Sequence, residues 1–90
     1  MQSEGVKRAL FDEVNRELER ATSKFGSFAS AHEGYAVLLE EVDELWDDVK
    51  HNRSRLEMRG EAIQIAAMAL RFVIDVCDQP TKDSQHGNKI

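Results

Sequence analysis

The chain has a single cysteine, a single proline and few aromatic side chains, and each scarcity excludes something. One cysteine cannot form an internal disulfide. Cys77 sits in an apolar run, so it reads as a buried small hydrophobe in a reducing compartment. With one proline and five glycines in 90 residues, long stretches are free of helix breakers. The β-branched residues do not gather into alternating runs, so nothing points to strands. No apolar stretch is long enough to span a bilayer, and the opening residues lack the basic–apolar–small pattern of a signal peptide. A cytoplasmic protein with no membrane partner is the expectation. Basic residues are also short, at 12 against 17 acidic ones, for a net charge of −5. That balance disfavours nucleic acid as a partner, because phosphate backbones call for a basic surface.

What is present is helical periodicity. The length suits one domain, and we place a single helical domain at 1–78 with a polar, disordered tail at 79–90. The first helix is expected over 4–24, with Val6, Leu10, Phe11, Val14, Leu18, Ala21 and Phe25 as its apolar stripe and Gly26 as its stop. Arg8, Asp12, Arg16, Glu19 and Arg20 form its solvated face. The second spans 31–50. Ser30 followed by Glu33 is a capping-box pattern, and Tyr35, Leu38, Leu39, Val42, Leu45, Trp46 and Val49 form the stripe. A turn at 51–55 leads to the third helix, 56–77, opened by a second capping pattern at Ser54 and Glu57. From Ala62 onward this helix is apolar almost all round, with Glu61, Gln64, Arg71, Asp75 and Asp78 confined to one sector at about 100° per residue. Such a helix needs cover on several sides. The expected fold is therefore all-α: an antiparallel bundle of three main helices, completed by oligomerisation with the third helix near the shared core.

Chemistry concentrates in Leu39-Glu40-Glu41-Val42-Asp43-Glu44-Leu45-Trp46-Asp47-Asp48, where six of ten residues are acidic. On a helix Glu40 and Glu44 stack one turn apart with Glu41 on the flank, and like charges at that spacing repel unless a cation offsets them. Carboxylates suit hard ions such as Mg²⁺ or Mn²⁺. A plain solvated acidic face is the competing reading. The polar sector of the third helix weighs against it. If that sector faces the second helix, Glu61 joins the same ion.

The pattern Glu40-Glu41-Val42-Asp43-Glu44, followed after the spacer 45–60 by Glu61-Ala62-Ile63-Gln64, resembles the MazG-like all-α nucleotide pyrophosphohydrolase family. That family carries Glu-Glu-x-x-Glu on one helix and Glu-x-x-Asp on the next. The stretches His32-Glu33-Gly34-Tyr35-Ala36-Val37-Leu38-Leu39 and Gln64-Ile65-Ala66-Ala67-Met68-Ala69-Leu70-Arg71-Phe72 are similar to a small phage and bacterial subgroup. The resemblance spans about 24–78.

The resemblance implies hydrolysis of nucleoside triphosphates to the monophosphate and pyrophosphate, often to clear non-standard nucleotides, in dimers or higher homo-oligomers. It implies Mg²⁺ (or Mn²⁺) held by Glu40, Glu41, Glu44 and Glu61, with Glu41 and Glu44 catalytic. Gln64 departs from the pattern, since a neutral carbonyl is a weaker ligand than the usual Asp. Asp75 and Arg71 are further candidates, Arg71 as an ion-pair partner or a phosphate contact. A weak or inactive helical oligomer that binds nucleotide or a partner protein is the alternative. His32 is assigned to the surface and Trp46 to the core. Lys50, Arg53, Arg55 and Arg59 read as a solvated basic turn.

Overall fold

A computed structural model of the chain describes residues 3–80; the expectation of a disordered tail falls mostly on 81–90, outside them. Among the described residues there are three α-helices and no strands: α1 (Ser3–Phe25), α2 (Ala31–Lys50) and α3 (Arg55–Phe72), the last running on into a wider π-helical turn at Val73–Cys77. None of these helices is long and apolar enough to cross a membrane.

Local signals set the boundaries. Gly26 takes φ 75°, a left-handed conformation that glycine adopts without steric cost, and it closes α1 by donating its N–H to the Thr22 carbonyl at 2.9 Å. Ser30 caps α2 by accepting the Glu33 N–H. The Glu33 carboxylate does not return to Ser30 but accepts the N–H of Ala29, one residue earlier, so the expected box is shifted by one position. At α3 the box is complete, with Ser54 and Glu57 bonding reciprocally. Expected as α-helix to Cys77, α3 instead widens after Phe72. The Asp78 N–H reaches the Val73 carbonyl at 2.8 Å, a bond across five residues.

The central element is α3, which packs on both α1 and α2. Gly34 lies against Phe72 while Glu41 and Glu44 lie near Glu61, so α2 and α3 run antiparallel. Glu13 meets Arg59 and Gly26 meets Arg71, so α1 runs broadly with α3. The buried apolar set is small: Val14, Ala21, Phe28, Ala67 and Met68. Leu18, Val37, Leu38, Ile63, Ala66, Phe72 and Val76 pack on it half-buried.

Two expectations about the core change. Trp46 is 57% exposed, because the face of α2 that meets α3 is the one carrying Gly34, Leu38, Glu41 and Leu45, and Trp46 lies off it. Cys77 is exposed as well, on the π-helical turn.

Candidate functional site

α2 turns its Glu41 side towards α3, and α3 turns its polar sector back. Glu41, Glu44 and Glu61 each bring a carboxylate oxygen to a common point, all within 4.8 Å of one another. Glu40 is outside this trio. It lines the same cavity, of about 580 Å³, which α1 helps to wall with Arg20, Ala21 and Phe25. Gln64, Met68 and Arg71 form the α3 side beyond Glu61. Ten residues of helix separate Glu61 from Arg71, about 15 Å. The cavity therefore has an acidic end and an end where Phe28 and Arg71 sit.

The acidic end stores electrostatic cost. Burial raises the Glu61 carboxyl to about 7, and the neighbouring Glu44 and Glu41 carboxylates push the same way. Burial, with Glu44 adding repulsion, also raises Glu41 above the ordinary carboxylate range. A proton shared by these groups, or a cation among them, relieves the repulsion.

The other end is built to hold the chain. Arg71 is 3% exposed and donates through Nη2 to the Gly26 carbonyl at 2.7 Å. Its guanidinium carbon lies 4.0 Å from the centre of the Phe28 ring. Its Nε is buried 4.0 Å from the Asp75 carboxylate, a charge pairing without a hydrogen bond. Asp75 accepts the Phe28 N–H at 3.0 Å. Asp75 is thus bound to the α1–α2 connection and stands apart from the three glutamates. Arg71 is the ion-pair partner of Asp75, and both pin the connection to α3.

Gln64 faces the cavity and α1, where the Glu17 carboxylate is held below its usual range by Arg20 first and by the Gln64 amide as well. Arg20 binds Glu17 at 3.0 and 2.5 Å. Glu17 adds further repulsion on Glu41. Neither Glu17 nor Arg20 was expected at the site. Their signal in the sequence is a Glu-x-x-Arg pair on α1, a spacing that ordinary solvated helix faces share. Phe28 was missed too, because an aromatic in a Gly-Ser-Phe-Ala-Ser loop has no periodicity to mark it.

Of the remaining candidates, His32 is exposed in the first turn of α2. Arg59 is taken up by Glu13 at 2.7 and 2.8 Å, and Arg53 lies 3.8 Å from Asp47. Searches of protein-family models, of curated proteins and of solved structures found no match to this chain.

Proposed function

We propose that this chain is a metal-dependent nucleoside triphosphate pyrophosphohydrolase, of the kind its acidic motifs resemble, acting in the cytoplasm as a homo-oligomer. The observation that carries this reading is the convergence of Glu41 and Glu44 from one helix with Glu61 from the next at the end of an open cavity. Three oxygens within 4.8 Å of one another are spaced for a single hard ion, after small side-chain rotations. The raised pKa values of Glu61 and Glu41 are the cost such an ion removes. The fit favours Mg²⁺ or Mn²⁺ over a soft metal, since every donor is a carboxylate. When bound, the ion supplies charge stabilisation at phosphate oxygens and acidifies a coordinated water.

The residues of the chain have separable roles in this reading. Glu41, Glu44 and Glu61 hold the ion. Glu40, on the same side of α2, extends the ligand set towards the cavity. The Glu41 and Glu44 carboxylates orient the attacking water, and one of them accepts its proton. Arg20, held by Glu17, lines the same cavity and offsets part of the acidic charge that a polyanionic substrate would meet there. The products are a nucleoside monophosphate and pyrophosphate, and non-standard nucleotides are the natural substrates to try.

Gln64 supports a second reading, a helical oligomer that binds nucleotide or a partner protein without fast turnover. Its amide places a neutral group beside Glu17 where the resembled pattern has a carboxylate. One experiment separates the two. The protein is incubated with a panel of nucleoside triphosphates and Mg²⁺ or Mn²⁺, and pyrophosphate release is measured beside Glu44→Gln. Release that the variant abolishes supports the enzyme. Nucleotide binding without release, unchanged in the variant, supports the binding module.

A further inference from the structure

The fold uses only part of the buried charge at the far end of the cavity. Arg71 is the one buried charged side chain among the described residues. A guanidinium carries five N–H donors and no acceptor. Nη2 donates to the Gly26 carbonyl, and the planar group lies on the Phe28 ring. The other donors are poorly met. Nη1 has only the Met68 thioether, at 3.5 Å, and sulfur of this kind is a weak acceptor. Nε, 4.0 Å from Asp75, has no hydrogen-bond partner. Pinning the α1–α2 connection takes the charge and one donor. It does not take the whole fork. Met68 and Arg71 both line the cavity, so a group placed there can satisfy what the chain leaves unmet. The apolar groove of Phe11, Val14, Leu70 and Val73 has no buried charged side chain to offer.

Charge and shape decide what that group is. Asp75 already balances Arg71, and their side chains are 6% and 4% exposed. A second full negative charge beside them would be buried without a cation of its own. Glu33 and Glu40 line the same cavity and would repel it as well. A neutral oxygen acceptor meets neither penalty. Phe25, 63% exposed, offers a ring to this cavity, and Phe28, Val37 and Met68 add apolar wall. A flat group with apolar faces and neutral acceptors on its edge is a nucleobase. The span agrees. About 15 Å of α3 separates Glu61 from Arg71. A nucleoside triphosphate reaches about that far from a metal-bound phosphate to the outer edge of its base.

We propose that the Phe25–Arg71 end of the cavity is a nucleobase subsite. Arg71 is its specificity-determining residue, favouring bases with a ring carbonyl (guanine, uracil and cytosine) over adenine. The subsite rests on the nucleoside triphosphate reading of the acidic end. A donor-only fork pairs with a carbonyl oxygen and a neighbouring ring nitrogen, as arginine does with O6 and N7 of guanine. Adenine sets an amino group, itself a donor, where guanine has that oxygen, and leaves a buried donor unmet.

The test measures binding rather than turnover, on the full chain with Mg²⁺. The probes are inorganic triphosphate and the α,β-methylene analogues of GTP, UTP, CTP and ATP, whose carbon bridge resists cleavage to pyrophosphate. Calorimetry should show the GTP, UTP and CTP analogues binding at least about tenfold tighter than the ATP analogue. All four should bind tighter than inorganic triphosphate. Arg71→Lys keeps a cation beside Asp75 and loses the fork. It should bring the four analogues within about threefold of one another and leave inorganic triphosphate unchanged. Phe25→Ala, on an exposed side chain, tests the platform without touching Arg71. It should weaken all four analogues about tenfold and spare inorganic triphosphate. An ATP analogue bound as tightly as the others overturns the proposal. So does inorganic triphosphate bound as tightly as the nucleotides, a folded Arg71→Lys protein that keeps the preference, or a Phe25→Ala protein that binds all four unchanged. If no triphosphate binds, inorganic triphosphate included, the reading of the acidic end fails and the subsite falls with it.

Discussion

The two outer flanks of α2 fail in opposite ways as surfaces of a lone monomer. The cavity flank holds charge where water is partly excluded, and Glu61 responds by rising to about 7. The other flank holds Tyr35 and Trp46 where water is plentiful. Neither arrangement lowers the free energy of a monomer in pure water. The proposed ion would relieve the first flank; the second remains apolar surface in contact with water. Between them lies the side that meets α3, where Gly34 and Leu38 pack and only Glu41 shares the charge of the cavity flank. One helix thus carries the packing against α3 on one side and the proposed ion site on another.

The sharpest way to break this comparison is at the far end of the cavity, where a buried charge is already partnered within the chain. Arg71→Ala removes the guanidinium from Phe28 and Gly26 and leaves Asp75, itself 6% exposed, without its cation. Removing one member of a buried pair costs about 3–5 kcal/mol. Chemical denaturation of the variant should show a loss of that size, unchanged by Mg²⁺. A loss that added metal reverses would move Arg71 from the scaffold to the ion site.

The acidic end should behave in the opposite sense, gaining stability when charge is removed. The folded-state pKa of Glu61 lies above the ordinary value of 4.5. At pH below 4.5 the group is protonated in both folded and unfolded chains, and no cost arises. Between 4.5 and about 7 the unfolded chain ionises first, so apo stability should fall as pH rises and then level off. Glu41, shifted in the same direction, adds to the slope. Glu61→Gln should flatten that slope and stabilise the apo protein above pH 7, by of order 1 kcal/mol after solvent screening at a half-buried site. Mg²⁺ should raise the melting temperature of the wild type, more at pH 8 than at pH 6, and leave Glu61→Gln unmoved. A pH-independent apo melting temperature would remove the electrostatic argument for an ion.

Gln64→Asp refines the same contrast. With an ion among Glu41, Glu44 and Glu61, the new carboxylate adds a ligand, so metal affinity and turnover at low Mg²⁺ should rise. Without one, it adds repulsion beside Glu17 and Glu61, and the melting temperature should drop equally with and without metal. Paired melts and pyrophosphate assays on both forms decide between these outcomes.

Much of the scaffold was legible in the sequence because it rests on local rules. Ser30, Ser54 and Gly26 announce helix ends, and α2 occupies the residues that its periodicity marks. The meeting of Glu61 with α2 was legible too, because the polar residues of α3 fall in one sector and need partners. What failed was the assumption that an apolar stripe is a core stripe. α2 carries apolar residues on two sides, and a periodicity count merges Leu38 and Leu45, which face α3, with Trp46, which does not. Residues fixed by distant partners were silent as well. Phe28 is buried because Arg71 and Asp75, more than forty residues away, hold the loop down.

The smallest expected effects compare two helical glycines, one on the side of α2 that meets α3 and one beside the polar flank. At Gly34 a Cβ would stand 2.7 Å from Phe72 Cδ2 and 3.0 Å from Phe28 Cδ2. Both atoms belong to packed rings rather than to free side-chain ends, so Ala there must push α2 away from α3. The overpacking cost, about 1–3 kcal/mol, exceeds the gain of roughly 1 kcal/mol from replacing a helical glycine. Gly34→Ala should therefore destabilise by about 1 kcal/mol. At Gly60 nothing lies within 4 Å of the added carbon, and the residue sits inside α3. Only the backbone entropy changes, and Gly60→Ala should stabilise by about 0.5–1 kcal/mol. Urea denaturation of the two variants beside the wild type reads both signs. Equal stabilisation at both positions would mean that α2 and α3 are less closely set at Gly34 than their rings indicate, and the α2 side that meets α3 would then be as unfinished as its two flanks.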